Sequence, residues 1–429
     1  MANETPTPPV NRGPNAGDTT VSRADREVLR RLAGRVAELA ARPIEEEKRA
    51  NWYRHNALLP GRPLVFCDPE NGWNEIITPD QMQCTGRLAR SWELTLRREV
   101  FWGESMGDDR VVEPHFDLGY VHTNTGWGMH ETRIGGADGG AYTWDAPLKS
   151  YDDDLPRLRF PRITVDHAAT EAMLATARDT LGNLLPVRLR GRWWWSLGLT
   201  QTLIGLRGLN QIMLDMYDHP EELKRLMAIL RDGTLAMVED MESQGLLSLN
   251  NDNTYVGSGG FGFTRELPAP GFDPKKVRTA DMWGFCESQE TASVSPAMFE
   301  EFVFAYQLPL LERFGLNCYG CCEPLHTRWH VIRKAPRLRR VSVSAWADHA
   351  KMAEYLGDRC IYSLKPNPAP LARPVMDEDE ARASLRQILE VARGCRIEIV
   401  MKDNHTIGRN PQNVIRWCRL AQEEARRAE

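Results

Sequence analysis

The sequence has no long apolar run and no excess of basic charge. Its 429 residues include 54 Lys and Arg against 59 Asp and Glu, for a formal net charge of −5. A chain without a basic stripe is a poor partner for nucleic acid. The longest apolar stretch, residues 193–206, is too short and too polar to span a bilayer. We therefore expect neither a nucleic-acid partner nor a membrane.

Cysteine is sparse, and its count is odd. The nine cysteines are spread over the whole chain, whereas a secreted disulfide framework needs a dense and even set. The first 20 residues are polar and rich in Pro, Thr and Asn, without the apolar segment of a secretory signal. We therefore expect reduced thiols, a cytoplasmic location and a disordered tail over residues 1–20. A homo-oligomer is left open.

Strand and helix patterns alternate along most of the chain. Seven segments have strand-like composition: 187–195, 246–250, 282–286, 316–320, 339–344, 360–365 and 396–402. At least seven strand–helix units fit, so the economical architecture is an α/β fold of the (β/α)₈ TIM barrel type. A doubly wound sheet is the alternative. No Gly-x-Gly-x-x-Gly follows any of these strands, which weakens a dinucleotide-binding version.

A helix beginning at Ser22 precedes this alternating pattern. Ser22 and Asp25 fit the start of a capping box. Apolar residues then recur on one helical face, and Pro43 ends the run. We therefore predict an N-terminal helical extension over residues 21–60 and a single barrel domain over residues 61–429.

Polar side chains follow most of the predicted strands, where a (β/α)₈ enzyme forms its active site. The candidates for catalysis are Asp252, Glu323, Lys365 and His405. The candidates for substrate binding are Asn251, Glu287, Gln289, Trp346 and Asn367, together with Trp193 and Trp195. These two tryptophans lie on one face of a predicted strand, where they can wall an apolar pocket. Lys402 and Asp403 complete the predicted rim.

The nine residues 318–326, CYGCCEPLH, contain three thiols, a carboxylate and an imidazole. A catalytic zinc takes about three protein ligands from Cys, His and carboxylates and keeps one position open. Cys321 or Cys322, with Glu323 and His405, can supply such a set from two strand ends. Which of the two cysteines points inward is left open, because the answer depends on where the strand turns into the helix.

Two further motifs of this region have competing explanations. Cys318 and Cys321 match the redox pattern C-x-x-C, but the thioredoxin interpretation needs a small βαβ domain, and this motif lies inside a longer series. Asp403 to Gly408 matches the D-x-H-x-x-G loop of corrinoid-binding domains. The chain after Gly408 has room for only one helix, so we interpret this match as accidental.

The chain resembles the uroporphyrinogen decarboxylase superfamily, and more narrowly its methyltransferase-like branch, which is associated with corrinoid-dependent demethylation. The resemblance lies in SPAMFEEFVFAYQLPLLERFG (295–315), YGCCEP (319–324), SVSAWAD (342–348), KPNPAPLA (365–372) and MKDNHT (401–406). It implies a (β/α)₈ barrel and a zinc held by a His-x-Cys pair and a late Cys, where this chain has Cys, Glu and His. Residues 51–66 lack the arginine-rich segment of the decarboxylases, which argues against uroporphyrinogen as substrate.

The resemblance implies a methyltransferase that moves a methyl group from a small donor to a corrinoid protein. A methoxylated aromatic is the expected donor. Its oxygen needs activation by zinc or by an acid such as Glu323 or Asp252, because a phenoxide is a poor leaving group. Two alternatives stay open: a decarboxylase of a small acid that uses Lys365, and a non-catalytic barrel that binds a metal or another ligand.

Overall fold

The computed structural model describes residues 20–136 and 142–429. The predicted disordered tail therefore lies, except for residue 20, outside the described residues. The described strands are β1 (Leu64–Cys67), β2 (Phe116–Leu118), β3 (His122–Asn124), β4 (Thr132–Gly135), β5 (Tyr142–Asp145), β6 (Ile163–Val165), β7 (Val187–Leu189), β8 (Trp283–Cys286), β9 (Leu316–Tyr319), β10 (Leu338–Val343), β11 (Ile361–Leu364) and β12 (Arg396–Met401).

Helices separate most of these strands. They are α1 (Arg23–Ala40), α2 (Pro43–Asn56), α3 (Trp73–Ile76), α4 (Arg87–Phe101), α5 (Tyr151–Asp154), α6 (His167–Leu181), α7 (Thr200–Arg207), α8 (Leu209–Asp218), α9 (Pro220–Ser243), α10 (Pro296–Phe299), α11 (Ala305–Leu311), α12 (Trp329–Ile332), α13 (His349–Leu356), α14 (Glu378–Val391) and α15 (Gln412–Arg427). The helix start at Ser22 is confirmed, because its hydroxyl accepts a hydrogen bond from the backbone N–H of Asp25. Within the described ranges, no helix is both long and apolar enough to cross a membrane.

A parallel sheet of six strands forms the centre of the fold, in the order β1-β12-β11-β10-β9-β8. Each neighbouring pair is parallel. β2 and β7 form a separate parallel pair, while β3 with β6 and β4 with β5 are antiparallel. The strands of the central sheet are buried along nearly their whole length, as expected for a parallel sheet covered on both faces. The protein is thus a mixed α/β protein.

A closed eight-stranded barrel is not shown by the strand pairing of the described residues. The predicted strand 246–250 does not form. Instead, the side-chain amide of Asn250 donates to the Trp283 carbonyl at 3.0 Å and accepts from the Trp283 N–H at 2.8 Å. A side chain therefore makes the two bonds that a neighbouring strand would make. The predicted strand 187–195 ends at Leu189. Closure into a (β/α)₈ barrel stays a prediction.

A buried ion pair lies on the face of the central sheet that α2 contacts, which we call the inner face. Arg340 of β10 donates to both carboxylate oxygens of Glu398 of β12, at 2.8 and 3.0 Å. From α2, His55 lies 3.2 Å from the same carboxylate, and the Asn56 side chain accepts from Arg340 at 2.7 Å. Burial raises the pKa of Glu398, but Arg340 and His55 lower it by more, so this carboxylate is ionised.

A glycine-rich segment, residues 256–263 (VGSGGFGF), packs directly against this pair. Gly259 and Gly260 have φ angles of 134° and 83°, which favour glycine. A Cβ atom at Gly259 would lie 2.5 Å from the Val400 side chain, and one at Gly260 would lie 2.7 Å from the Glu398 carboxylate. Only glycine therefore allows the segment to approach the sheet so closely.

We expect Glu398→Ala to lower the free energy of unfolding by about 3–5 kcal/mol, because it leaves Arg340 buried without its counter-charge. Chemical denaturation followed by circular dichroism measures this loss. Glu354→Ala, on the exposed face of α13, is the matched control and should change the same free energy by less than about 0.5 kcal/mol. An equal, small loss in both variants would contradict a structural role for the pair.

Candidate active site

Three side chains from separate segments meet at the carboxyl ends of β9 and β12. The Ser258 hydroxyl donates to the Cys321 sulfur at 3.1 Å. The Lys402 ammonium donates to the Ser258 oxygen at 3.1 Å and lies 3.6 Å from the Cys321 sulfur. All three are buried. We call Ser258, Cys321 and Lys402 the thiol–lysine cluster.

The two adjacent cysteines have opposite electrostatic surroundings. Their sulfur atoms are 3.5 Å apart, and the Cys322 sulfur lies 3.2 Å from a carboxylate oxygen of Asp403. The hydrogen bond from Cys322 lowers the pKa of Cys321 against the effect of burial, and the charge of Lys402 lowers it further. The pKa of Cys322 is raised by its contact with Cys321 and by burial. Cys321 is therefore the more acidic thiol of the pair, and Cys322 keeps its proton.

Acidic and aromatic groups surround Lys402 on its open side. Its ammonium lies 3.5 Å from Asp403, 4.0 Å from Glu70 and 5.8 Å from the centre of the Trp195 ring. Burial lowers the pKa of Lys402, but the negative groups around it raise the pKa to well above its usual value. Lys402 is consequently a cation. Burial also raises the pKa of Glu70, to about 7.

The predicted catalytic residue Lys365 lies deeper, on the inner face of the sheet. It follows β11 directly and donates to the Ser363 hydroxyl at 2.6 Å. Ser363 in turn contacts Glu398. Burial lowers the pKa of Lys365 to about 8, and the charge of Lys402 contributes to this shift while Glu398 opposes it. Lys365 is thus joined to the ion pair of the sheet through Ser363, and the charge of Lys402 acts on it from the thiol–lysine cluster.

The predicted zinc ligands do not converge. Glu323 accepts hydrogen bonds from the backbone N–H groups of Ser288 at 2.9 Å and Cys321 at 2.8 Å, so both of its oxygens are engaged. His405 is exposed, and the ammonium of Lys402 already neighbours the Cys321 sulfur. Across residues 20–136 and 142–429, no three His, Cys, Asp or Glu side chains form a group that could hold a metal ion. The residues present therefore do not fit the zinc that the sequence predicts.

Glu287 is a buried acid at the carboxyl end of β8. Its carboxyl group accepts from the Ser196 hydroxyl at 3.2 Å and from the backbone N–H of Gln289 at 3.1 Å. Burial raises the pKa of Glu287 to about 9, and the negative charges of Glu290 and Glu323 contribute. Glu287 is thus protonated at neutral pH and can donate a hydrogen bond.

The other predicted residues are placed around the rim with partners of their own. Asp252 accepts from Arg190 at 2.8 Å. Burial raises the pKa of Asp252, but the bond from Arg190 lowers it to below the ordinary value, so this group is a carboxylate rather than an acid. Three other predicted residues form hydrogen bonds within the protein: Asn251 donates to the Leu267 carbonyl, Gln289 donates to Glu290, and Asn367 accepts from the backbone N–H of Ala369. Trp346 is 71% exposed.

A cavity of about 250 Å³ opens beside the thiol–lysine cluster. It is lined by residues 190–195, 248–250, 254–257, 282–283 and 285. The predicted pocket residues Trp193 and Trp195 both belong to this lining. Trp195 and Tyr255 form part of the wall and also neighbour Lys402. The cavity and the cluster therefore share a boundary. We call this space the tryptophan cavity.

Sequence reasoning missed the glycine-rich segment that contributes Ser258, and Tyr255 directly before it. Residues 256–263 contain four glycines, and such a density signals a close approach of the backbone to another element. The glycine density predicts that this segment packs closely against another element. It does not predict which element that is. Arg192, which also lines the cavity, was missed for a different reason, because surface arginines are common.

Comparison with known proteins does not assign the chain to a family. No family model and no curated protein matches the chain. Among solved structures, it is similar to a methyltransferase from Methanosarcina mazei, with a TM-score of 0.49 and 12% sequence identity over 88% of this chain and 98% of that chain. At this level of similarity, the comparison assigns neither a residue role nor an activity. The site itself defines an α/β protein with a buried cysteine of lowered pKa beside a lysine cation at its strand ends.

We expect Lys402→Met to raise the pKa of Cys321, because the substitution removes a positive charge 3.6 Å from the sulfur. The ultraviolet absorbance of the thiolate, followed against pH, measures this shift. Subtracting the titration of the matching Cys321→Ser variant isolates the signal of Cys321. Lys351→Met, on the exposed face of α13, is the control. The assignment is contradicted if Lys402→Met leaves the titration unchanged.

Proposed function

We propose that this protein is a methyltransferase that takes a methyl group from a small methyl ether and passes it to a corrinoid carried by a partner protein. The observation that carries the proposal is the cation of Lys402, held at the strand ends beside an aromatic-walled cavity. The segments YGCCEP and MKDNHT, on which the resemblance to the uroporphyrinogen decarboxylase superfamily rests, contain Cys321 and Lys402. When bound, the corrinoid supplies the nucleophile that accepts the methyl group.

Lys402 activates the oxygen of the donor. As the methyl carbon bonds to the acceptor, the C–O bond breaks and its electron pair stays on the oxygen. For an aryl ether the product is a phenoxide, whose conjugate acid has a pKa of about 10. The pKa of Lys402 is raised well above its usual value. Its ammonium therefore stabilises the phenoxide by charge and a hydrogen bond instead of losing its proton.

Glu70 is placed to supply the proton that completes the phenol. Its carboxyl group lies 4.0 Å from the Lys402 ammonium, and burial raises its pKa to about 7. A group with this pKa is partly protonated at neutral pH, and proton transfer from it to a phenoxide is downhill. Activity should fall as the pH rises above about 7, because Glu70 then loses the proton.

Trp195 provides the surface for the donor ring, and the rim leaves room for a large acceptor. The Trp195 side chain is 42% exposed, so one face can stack on an aromatic ring. Asp403 and Glu70, which neighbour Lys402, are also partly exposed. A corrinoid is too large for a closed pocket, so the partner protein has to dock over this open side.

A second candidate function is the decarboxylation of a small carboxylic acid. The observation in its favour is the pair of lysines, since Lys402 can bind a carboxylate and Lys365, with a pKa of about 8, can stabilise developing negative charge. A barrel that only binds its ligand is the third alternative. Release of CO₂ without a demethylated product would favour the decarboxylase. Ligand binding without turnover would favour the barrel that only binds its ligand.

Lys402→Met should lower the rate of methyl transfer by at least about 100-fold, because the leaving oxygen loses its charge partner. The assay incubates the protein with a methoxylated aromatic and a reduced corrinoid, and measures the demethylated phenol by chromatography. Lys402→Arg, which keeps the positive charge, should retain more activity than Lys402→Met. Lys351→Met should behave as the wild type. Equal rates in Lys402→Met and Lys351→Met would contradict the proposed role.

A further inference from the structure

We infer that the tryptophan cavity takes a single-ring ligand that carries one carboxylate, and that Arg192 is the residue that binds this carboxylate. The inference goes beyond the activation of the ether oxygen and names the class of ligand. It rests on the proposed function only in identifying that ligand with the methyl donor. Three observations carry it: the exposed guanidinium of Arg192, the fixed aromatic walls, and the size of the cavity.

Three arginines alternate along residues 188–192, and two of them are fully paired. Arg188 donates to both oxygens of Asp117, at 2.8 and 3.1 Å. Arg190 donates to Asp252 at 2.8 Å and to the Thr254 hydroxyl at 2.9 Å. These bonds neutralise the charges of Arg188 and Arg190 within the protein.

Arg192 differs from both. Its ion-pair partner is Asp117, at 3.6 Å, which is longer than a hydrogen bond, and Arg188 already engages both oxygens of that carboxylate. Among the described residues, Arg192 therefore has no carboxylate hydrogen-bonded to it, whereas Arg188 and Arg190 each have one. His115 beside them is neutral, since burial and the charge of Arg188 lower its pKa to about 4.

The guanidinium of Arg192 is accessible to a ligand. Its side chain is 62% exposed, and Arg192 belongs to the lining of the tryptophan cavity. A ligand carboxylate can therefore reach the guanidinium and form the two parallel bonds that this pair favours. One accessible guanidinium suits a ligand with one carboxylate.

The aromatic walls are fixed without a ligand. The Trp193 indole donates to the Leu246 carbonyl at 3.0 Å and stacks on Tyr120 with ring centres 5.3 Å apart. Trp195 contacts Phe285 edge-on, with centres 5.3 Å apart. Preformed aromatic faces favour a flat ring at little ordering cost. The volume of about 250 Å³ lies at the small end for ligand pockets, which indicates one ring.

Calorimetric titration of the full chain with benzoate and with its uncharged analogue benzamide tests the inference. We expect benzoate to bind at least about 10-fold more tightly than benzamide, because a hydrogen-bonded charge pair contributes about 1.5–3 kcal/mol. Arg192→Ala should weaken benzoate binding by at least about 10-fold and leave benzamide binding unchanged. Arg192→Lys should give an intermediate loss. Arg225→Ala, an exposed arginine of α9, is the matched control and should bind both ligands as the wild type.

Equal affinities for benzoate and benzamide, no benzoate binding, or full binding by Arg192→Ala would each overturn the inference. Thermal melting of Arg192→Ala confirms that the variant is folded. The titration contains no corrinoid and measures no turnover, so its outcome is independent of methyl transfer. Arg192-dependent benzoate binding without methyl transfer would leave the inference standing and remove the proposed function. Methyl transfer together with unchanged benzoate binding in Arg192→Ala would remove the inference and leave the proposed function standing.

Discussion

The buried ion pair between Arg340 and Glu398 is the constraint around which the inner face of the sheet is built. An unpaired charge in this position would cost several kcal/mol, so every element that crosses the inner face has to accommodate the pair. Helix α2 contributes a histidine and an asparagine to it. The glycine-rich segment can approach it only because Gly260 has no side chain. That approach brings Ser258, two residues earlier, against Cys321.

The pKa shifts of the two lysines differ in direction between the ion pair and the rim of the site. Lys365 is enclosed and next to a second cation, so its pKa falls to about 8. Lys402 is closer to the rim, where acidic groups keep it charged. The sulfur of Cys321 lies 3.6 Å from the Lys402 ammonium. The result is a cation that is desolvated yet stabilised, and that neighbours Trp195 in the wall of the cavity. Such a group can stabilise developing negative charge strongly, because little water competes with it.

Much of the fold could be predicted, and the roles of individual site residues could not. The strands at 316–319, 338–343, 361–364 and 396–401 are short buried runs, and Asp348 and Asp377 cap the helices after two of them. Both signals are local. The rim position of Cys321 and Lys402 follows from the shared direction of parallel strands. Which side chains turn inward depends on single backbone angles. Asp403 has a positive φ of 61°, which ends the strand alternation and leaves His405 facing solvent. The two backbone N–H groups that occupy Glu323 come from tertiary packing, which no local pattern encodes.

A crystal structure of the protein with bound 4-methoxybenzoate tests most directly whether Lys402 faces the oxygen of the methyl donor. We expect the ring to lie in the tryptophan cavity against Trp195. The ether oxygen should then be about 3 Å from the Lys402 ammonium, which is hydrogen-bonding distance. A ring bound in the cavity with its ether oxygen turned away from Lys402, or a ring bound elsewhere on the protein, would contradict it.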